Sequence, residues 1–329
     1  MTDLVIGSLG GTIAMLEDGT GSGATPKLTA ENLLRSIPGF RPAGPIRTEQ
    51  LRQVASPSLG LDDMVEVLTW ARAQVAAGAR AIVLTQGTDT LEETSWLLEL
   101  FWDHDVPLVM AGAMRTPASA GADGPANLAA AIAVAEDPAA RGRGVLVVMN
   151  DTIHGARQVT KADALAVQTF VSGGAGPLGR MVEGNPVWFT PPQPRRPLPL
   201  PVRQGHEIAL LTMALGDGPG LLECVRDRDG CAGLVLAGFG AGHVQGGQAE
   251  LVGQIAARKP VILCSRTGSG STATATYGYP GSEIDLAARG VWLGGWLQPL
   301  KARILLWAIL AAGLQGDEAH TAFAARTGF

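Results

Sequence analysis

The feature that most narrows the fold of this chain is an alternation of two patterns. Short, uninterrupted apolar runs at residues 4–6, 81–84, 108–111, 144–149, 208–211, 233–236 and 261–264 each stop at glycine or polar punctuation. Between most of them lie Ala- and Leu-rich stretches of helical period, at 30–37, 61–77, 90–102, 125–135 and 300–311. A strand that is apolar at every residue has to be covered on both faces, and helices that connect such strands supply the cover. The pattern predicts an α/β fold built on a doubly wound, mainly parallel sheet, with functional loops at the carboxyl ends of the strands. The 44 glycines fit many tight strand-to-helix turns, and aromatic residues at 5% argue against an all-β sandwich.

Residues 186–201 carry seven prolines in sixteen positions. Such a stretch cannot hold a helix or a central strand and tends to be extended. It predicts an N-terminal α/β catalytic domain over 1–190, a Pro-rich linker over 191–204 and a smaller C-terminal α/β domain over 205–329.

The charge balance removes several function classes. Lys and Arg total 25 against 30 Asp and Glu, so the net charge is 25 − 30 = −5. An acidic chain without a basic stripe is a poor nucleic-acid binder, because phosphate neutralisation supplies most of that affinity. Cys224, Cys231 and Cys264 have no Cys-x-x-Cys spacing, which argues against a disulfide framework or structural zinc and fits a reducing, cytoplasmic compartment. The first residues, Met-Thr-Asp-Leu-Val-Ile-Gly, lack a basic n-region, so no secretory signal is expected. No apolar run approaches the ~18 residues of a membrane span. None of the five histidines has metal-ligand spacing to another or to a cysteine, so no metal is expected. A nicotinamide dehydrogenase is disfavoured, since Gly-x-Gly-x-x-Gly spacing is absent.

Three strand ends carry chemistry. Val5-Ile6-Gly7-Ser8-Leu9-Gly10-Gly11-Thr12 runs a strand into a glycine pair and a hydroxyl. Glycines there let a ligand approach backbone N–H groups, and Thr12 is a candidate nucleophile; a plain βα turn is the other reading. Leu84-Thr85-Gln86-Gly87-Thr88-Asp89-Thr90-Leu91-Glu92-Glu93 places Thr90 and Glu93 at capping-box spacing, with Gln86, Thr88 and Asp89 crowding the strand end. Asp89 could cap the helix or bind a substrate ammonium. Val148-Met149-Asn150-Asp151-Thr152-Ile153-His154 is followed by Val159-Thr160-Lys161, whose amine could take the proton of Thr88 with Asp89 orienting it. In the second domain, Gly238-Phe239-Gly240-Ala241-Gly242-His243 reads as a loop with a hydrogen-bonding histidine. The Gly- and Ser-rich segment from Ser265 to Glu283 reads as a mobile loop that ends in a carboxylate.

Taken together these residues resemble the bacterial-type L-asparaginase family. The resemblance rests on Gly10-Gly11-Thr12-Ile13-Ala14, on Gln86-Gly87-Thr88-Asp89-Thr90-Leu91-Glu92-Glu93-Thr94 and on Ala113-Met114-Arg115. It continues through Ala122-Asp123-Gly124-Pro125-Ala126-Asn127-Leu128, Met149-Asn150-Asp151-Thr152, Val159-Thr160-Lys161 and Pro299-Leu300-Lys301-Ala302-Arg303, in order over nearly the whole chain. It implies a cofactor-free amidohydrolase that converts L-asparagine, and more weakly L-glutamine, to the acid and ammonia. Thr12 would be the nucleophile that forms an acyl-enzyme, with Thr88, Asp89 and Lys161 as the second catalytic cluster. Ser56, with Ser58 as the fallback, would bind the substrate carboxylate, and Asp89 its α-amino group. Gly11 and Gly87 would lend backbone to the substrate, and the Ala113 carbonyl would meet the leaving nitrogen. Glu283 would reach the site from a neighbouring subunit of a homodimer, two of which pair as a homotetramer.

The chain departs from the family in ways that bear on the site. Members carry a tyrosine in the flexible loop after the first threonine; residues 15–28 hold none, and the only tyrosines are Tyr277 and Tyr279. One of these is expected to supply the activating phenol. Residues 19–23 remain Gly-rich, as a closing lid requires. Pro57 stands where relatives often place a side chain for the α-amino group, and His243 near an asparagine of some relatives. Two alternatives share the scaffold. An amidotransferase subunit releasing ammonia calls for a further N-terminal domain and a basic RNA surface. A non-catalytic amino-acid sensor is countered by Thr12, Thr88, Asp89 and Lys161 occurring together.

Overall fold

The computed structural model describes residues 3–17 and 23–328. The chain divides into two compact units, Met1–Pro197 and Leu198–Phe329. In chain order the first runs β1 (Leu4–Gly10), β2 (Met15–Glu17), β3 (Ala24–Pro26), α1 (Ala30–Arg35), β4 (Ile46–Val54), α2 (Leu61–Ala76), β5 (Ala81–Thr85), α3 (Leu91–Phe101), β6 (Leu108–Ala111) and α4 (Gly124–Glu136). It continues with β7 (Val145–Met149), β8 (Thr152–Gly155), β9 (Val159–Lys161), β10 (Phe170–Ser172), β11 (Gly179–Val182) and β12 (Asn185–Trp188). Of the lid expected at 19–23, only Gly23 lies within the described residues.

The main sheet has the order β12-β11-β8-β7-β6-β5-β1-β4. Its core, β4-β1-β5-β6-β7, is parallel throughout, and β8, β11 and β12 extend it antiparallel. Every residue of β1, β5, β6 and β7 is buried. Alternate side chains therefore feed two cores. Leu4, Ile6, Ala81, Val83, Val109, Ala111, Leu146 and Val148 pack with Leu33 of α1 and Leu128, Ala131 and Ile132 of α4. On the opposite face α2 crosses so closely that a Cβ on Gly7 would sit 2.9 Å from Trp70, Leu84 and Leu51 at once. The parallel core has the 2-1-3-4-5 order of doubly wound folds, whose topological switch point lies between its first and third strands, here β1 and β5.

Two elements fall outside the sequence expectation. β4 carries a mostly polar, exposed sequence, because it is an edge strand. Pro186, the first residue of the proline-dense stretch, pairs with Met181 in β12. An edge strand tolerates a missing N–H that a central strand does not. Residues 191–206 hold no helix or strand, and Arg195 pins this segment by donating to the Trp102 and His104 carbonyls at 2.7 and 2.9 Å.

The second unit consists of β13 (Glu207–Thr212), α5 (Gly220–Asp227), β14 (Cys231–Gly238), α6 (Ala249–Ala256), β15 (Val261–Ser265), α7 (Glu283–Ala288), β16 (Trp292–Leu293), α8 (Pro299–Ala311) and α9 (Gly316–Ala324). Its four strands are parallel and follow one another in order. α5, α6 and α7 pack through Leu222, Val252, Ile255 and Leu286 on one face. Leu306 of α8 meets the other face, 2.7 Å from where a Gly233 Cβ would be. Among the described residues no helix is long and apolar enough to cross a membrane.

Near the end of α3, the partly buried Glu99 accepts a hydrogen bond from Val145 N at 2.7 Å. Burial pushes its carboxyl up to about 7, against the opposing pull of that hydrogen bond and of Arg195. The folded chain holds this proton more tightly than the unfolded chain does. The contribution to stability is therefore complete below about pH 4.5 and is lost as pH rises through about 7. Glu99→Gln keeps an acceptor for Val145, so it is expected to raise stability by about 1–2 kcal/mol at pH 8 and to leave it unchanged near pH 4. Denaturant melts at both pH values check this; an equal shift at the two rejects it.

Candidate active site

Three neighbouring strands, β4, β1 and β5, end in 3₁₀ turns at the same edge of the sheet, and each turn carries a hydroxyl: Ser56–Ser58, Thr12–Ala14 and Thr88–Thr90. The β1 and β5 turns touch. Gly11 takes φ of +83°, and a Cβ on it would lie 2.1 Å from both Cα and N of Gly87. A Cβ on Gly87 would in turn meet Ser56 Oγ at 2.8 Å. Only glycine permits this approach, so the two Gly–Thr motifs are adjacent for a steric reason. Beneath them, the fully buried Ser8 and Thr85 stand opposite each other in the β1–β5 register.

Thr88 is buried and Thr12 partly so. Lys161, at the end of β9, is held by pairing with Phe170 of β10. Its Nζ donates to Thr88 Oγ1 at 3.0 Å and to Asp89 Oδ1 at 2.6 Å. The lysine side chain is 13% exposed, so this is not a solvated surface charge, whereas Asp89 is 60% exposed and its free edge faces outward. Asp89 N donates to Ser56 Oγ at 3.2 Å. Ser56 is buried in the cluster and Ser58 is exposed. Among the described residues nothing hydrogen-bonds Thr12 Oγ1.

The capping box expected at Thr90 and Glu93 does not form: Thr90 makes no side-chain cap on α3. Its Oγ1 donates to the Ser56 carbonyl at 3.1 Å and accepts from Gln86 Nε2 at 3.2 Å. The hydroxyl ties two turns together instead of closing its own helix, and Asp89, the other candidate cap, is engaged by Lys161.

The remaining strand ends are braced from α4. Asp123 accepts from Met114 N at 3.0 Å and Arg115 N at 2.9 Å, which fixes the peptide after Ala113. Asn127, one helical turn on, donates to the Gly112 carbonyl and to Asp123, both at 3.0 Å, and accepts from Asn150 N at 2.9 Å. Asn127 is 2% exposed, and a buried amide with its groups satisfied is a rigid support. Sequence reading quoted both residues without giving them a role; the signal was their spacing of four on an otherwise apolar helix. His154, in the third motif, hydrogen-bonds Ser172 at 2.8 Å and braces β8 against β10. Burial pushes its imidazole down to about 4.

Glu283 and the two tyrosines belong to the second unit. Glu283 is fully buried at the start of α7, not at the tip of a mobile loop, because it accepts from Thr276 N and Tyr277 N at 2.7 Å each. His243 Nδ1 lies 2.9 Å from the Tyr279 hydroxyl.

With this geometry in hand, comparison with known proteins is decisive. Residues 3–194 match the family model for the asparaginase N-terminal domain, and residues 207–323 match that for the glutaminase/asparaginase C-terminal domain. The chain belongs to the asparaginase family. It is 35% identical over 320 residues to a probable L-asparaginase of Deinococcus radiodurans, covering 95% of this chain and 94% of that one. It is 32% identical over 317 residues to L-asparaginase 2 of Escherichia coli, covering 93% and 88%. The crystal structure of a probable cytoplasmic L-asparaginase from Campylobacter jejuni superposes with a TM-score of 0.87 at 27% identity, over 98% of this chain and 99% of that one. Against this asparaginase background the touching glycine turns can be tested directly. Gly11→Ala is expected to cost about 2–4 kcal/mol of stability. Gly218→Ala, at a site with nothing within 4 Å, should stay within about 0.5 kcal/mol of wild type. Urea denaturation measures both, and a wild-type midpoint for Gly11→Ala would mean that the turns do not touch.

Proposed function

We propose that this chain hydrolyses L-asparagine to L-aspartate and ammonia through a threonine acyl-enzyme, with weaker action on L-glutamine. The observation that carries the reading is the Asp89–Lys161–Thr88 array, set beside the Gly11–Thr12 turn at the sheet's switch point. A small zwitterionic amide needs an acceptor for its ammonium, donors for its carboxylate and a hydroxyl for its carbonyl carbon. Asp89 presents an exposed carboxylate edge, and Ser56 and the backbone around Gly87 offer donors. Thr12 would attack, and the acyl group would leave ammonia behind, with the Ala113 carbonyl receiving the departing nitrogen. Splitting the hydrolysis in this way replaces one difficult step by two easier ones. Lys161 would then draw the proton from Thr88, or through it from a water, to release aspartate. Discrimination against glutamine, longer by one methylene, is worth about 1–3 kcal/mol in a pocket of this kind.

The assembly in this reading is a homodimer or homotetramer in which Glu283, and Tyr277 or Tyr279, complete the site from a neighbouring copy. The working compartment is the cytoplasm, which the three free cysteines support.

Ammonia release from L-asparagine and L-glutamine is measured for wild type, Thr12→Ala, Thr88→Ala and Lys161→Met. Wild type should favour asparagine, and each substitution should lower kcat by at least about 10²–10⁴. Turnover that survives Thr12→Ala would remove the acyl-enzyme. Tight asparagine binding by wild type without ammonia release would favour the sensor reading.

A further inference from the structure

Two of the three hydroxyl-bearing turns are locked to each other by a pair of hydrogen bonds within the first unit. Asp89 N donates to Ser56 Oγ at 3.2 Å, and Thr90 Oγ1 donates to the Ser56 carbonyl at 3.1 Å. Ser56 is thus held at its side chain and at its backbone by consecutive residues of the β5 turn. Gly87 lets the two turns close, since a Cβ there would lie 2.9 Å from Ser56 Cβ.

The direction of the second bond is fixed by the fully buried Gln86. Its Nε2 lies 3.3 Å from the Gly87 carbonyl and 3.2 Å from Thr90 Oγ1. A carbonyl only accepts, so the end of the amide that faces Gly87 is the NH2. Thr90 Oγ1 accepts the second hydrogen of that group. Its own hydrogen then goes to the Ser56 carbonyl, which likewise only accepts. Gln86, Thr90 and Ser56 therefore form a chain of one polarity, in which each bond strengthens the next. Thr90 stands at the N-cap of α3, where a threonine ordinarily bonds its own helix, and it gives that bond up for the cross-link.

The link leaves two groups free. Ser56 Oγ accepts from Asp89 N, and among the described residues no acceptor takes its own hydrogen. Asp89 gives Oδ1 to Lys161, and its side chain is 60% exposed, so Oδ2 remains for a ligand. A hydroxyl donor and a carboxylate edge are thereby held at a set spacing, and they complement the carboxylate and the ammonium of an α-amino acid. The Lys161–Thr88 contact is not part of the link, because Lys161 arrives from β9 and bonds Thr88 without passing through Thr90.

We propose that Thr90 is a positioning residue for the substrate's α-carboxylate: it holds Ser56 against the β5 turn and so serves binding, not bond breaking. The proposal rests on the reading of Ser56 and Asp89 as head-group contacts given above. Without the Thr90 hydroxyl the Ser56 carbonyl loses its donor, and the β4 turn is released at its backbone. The Ser56 O–H then drifts from the carboxylate of a ligand whose ammonium Asp89 still holds. An amide that lacks the α-carboxylate is indifferent to the change.

Calorimetric titration with L-aspartate, the product, reads binding without turnover. Thr90→Val exchanges the hydroxyl for a methyl group and should raise Kd about 10–100-fold, the worth of one hydrogen bond to a charged group, while Thr90→Ser should stay within about threefold of wild type. In ammonia release, Thr90→Val should raise KM for L-asparagine by a similar factor and leave kcat within about threefold. Its kcat/KM for 3-aminopropanamide, which has the ammonium but no α-carboxylate, should also stay within about threefold of wild type. A merely structural role would lower both amides alike, and because they are compared on one preparation a partly folded variant does not disturb their ratio. If Thr90→Val yields no folded protein, Thr90→Ala takes its place. Unchanged L-aspartate affinity in Thr90→Val, no recovery in Thr90→Ser, or an equal loss on both amides overturns the proposal. Turnover that survives Thr12→Ala overturns the acyl-enzyme instead and leaves the titration to judge Thr90. Wild type that neither binds L-aspartate nor releases ammonia overturns the function itself, and the role of Thr90 with it.

Discussion

The site depends on one close approach, that of the Gly11 backbone to Gly87 where β1 and β5 part company with their helices. Helices of a doubly wound sheet diverge to opposite faces at the switch point, and the gap between them is where a ligand fits. Here the gap is lined by two turns pressed together without side chains between them. Thr12 and Thr88 are therefore neighbours although 76 positions separate them in the chain. Ser56 joins them because a third strand, β4, ends beside β1 in a turn of the same kind.

Around this contact Asp123 and Asn127 have defined partners, while the buried hydroxyls of Ser8 and Thr85 have none among the described residues. Asp123, at the N-cap of α4, and Asn127 within it hold the loop containing Ala113 by three hydrogen bonds, and Asn127 holds the peptide after β7 by a fourth, from Asn150 N. Buried amides and carboxylates are costly when unmatched, and a fully matched set specifies one loop conformation. Lys161 is delivered separately, by the short β9–β10 pair, which places the amine against a threonine already seated on the sheet.

The two units present comparable arrays. In the first, an amine lies between a hydroxyl and a carboxylate; in the second, an imidazole does. The carboxylates differ in setting. Asp89 keeps one edge exposed and can meet a ligand, whereas Glu283 is enclosed and neutralised by backbone donors.

Much of this was legible in the sequence. The parallel strands and the helices between them follow from apolar period, because a strand buried on both faces needs apolar residues at every position. Gly10-Gly11-Thr12 and Gln86-Gly87-Thr88-Asp89 marked strand ends that required close backbone approach. β4 escaped notice since an edge strand has no apolar period to detect, and β12 did too, because its Pro186 fits an edge strand but not a central one. Thr90 had the spacing of a helix cap, yet its hydroxyl bonds across to Ser56, which no local pattern encodes. The burial of Ser56 beside an exposed Ser58, the burial of Glu283 and the contact of Tyr279 with His243 are decided by tertiary structure alone. Each depends on segments brought together by sheet order and loop closure, and local sequence carries information about period and turn chemistry but not about which distant turns will touch.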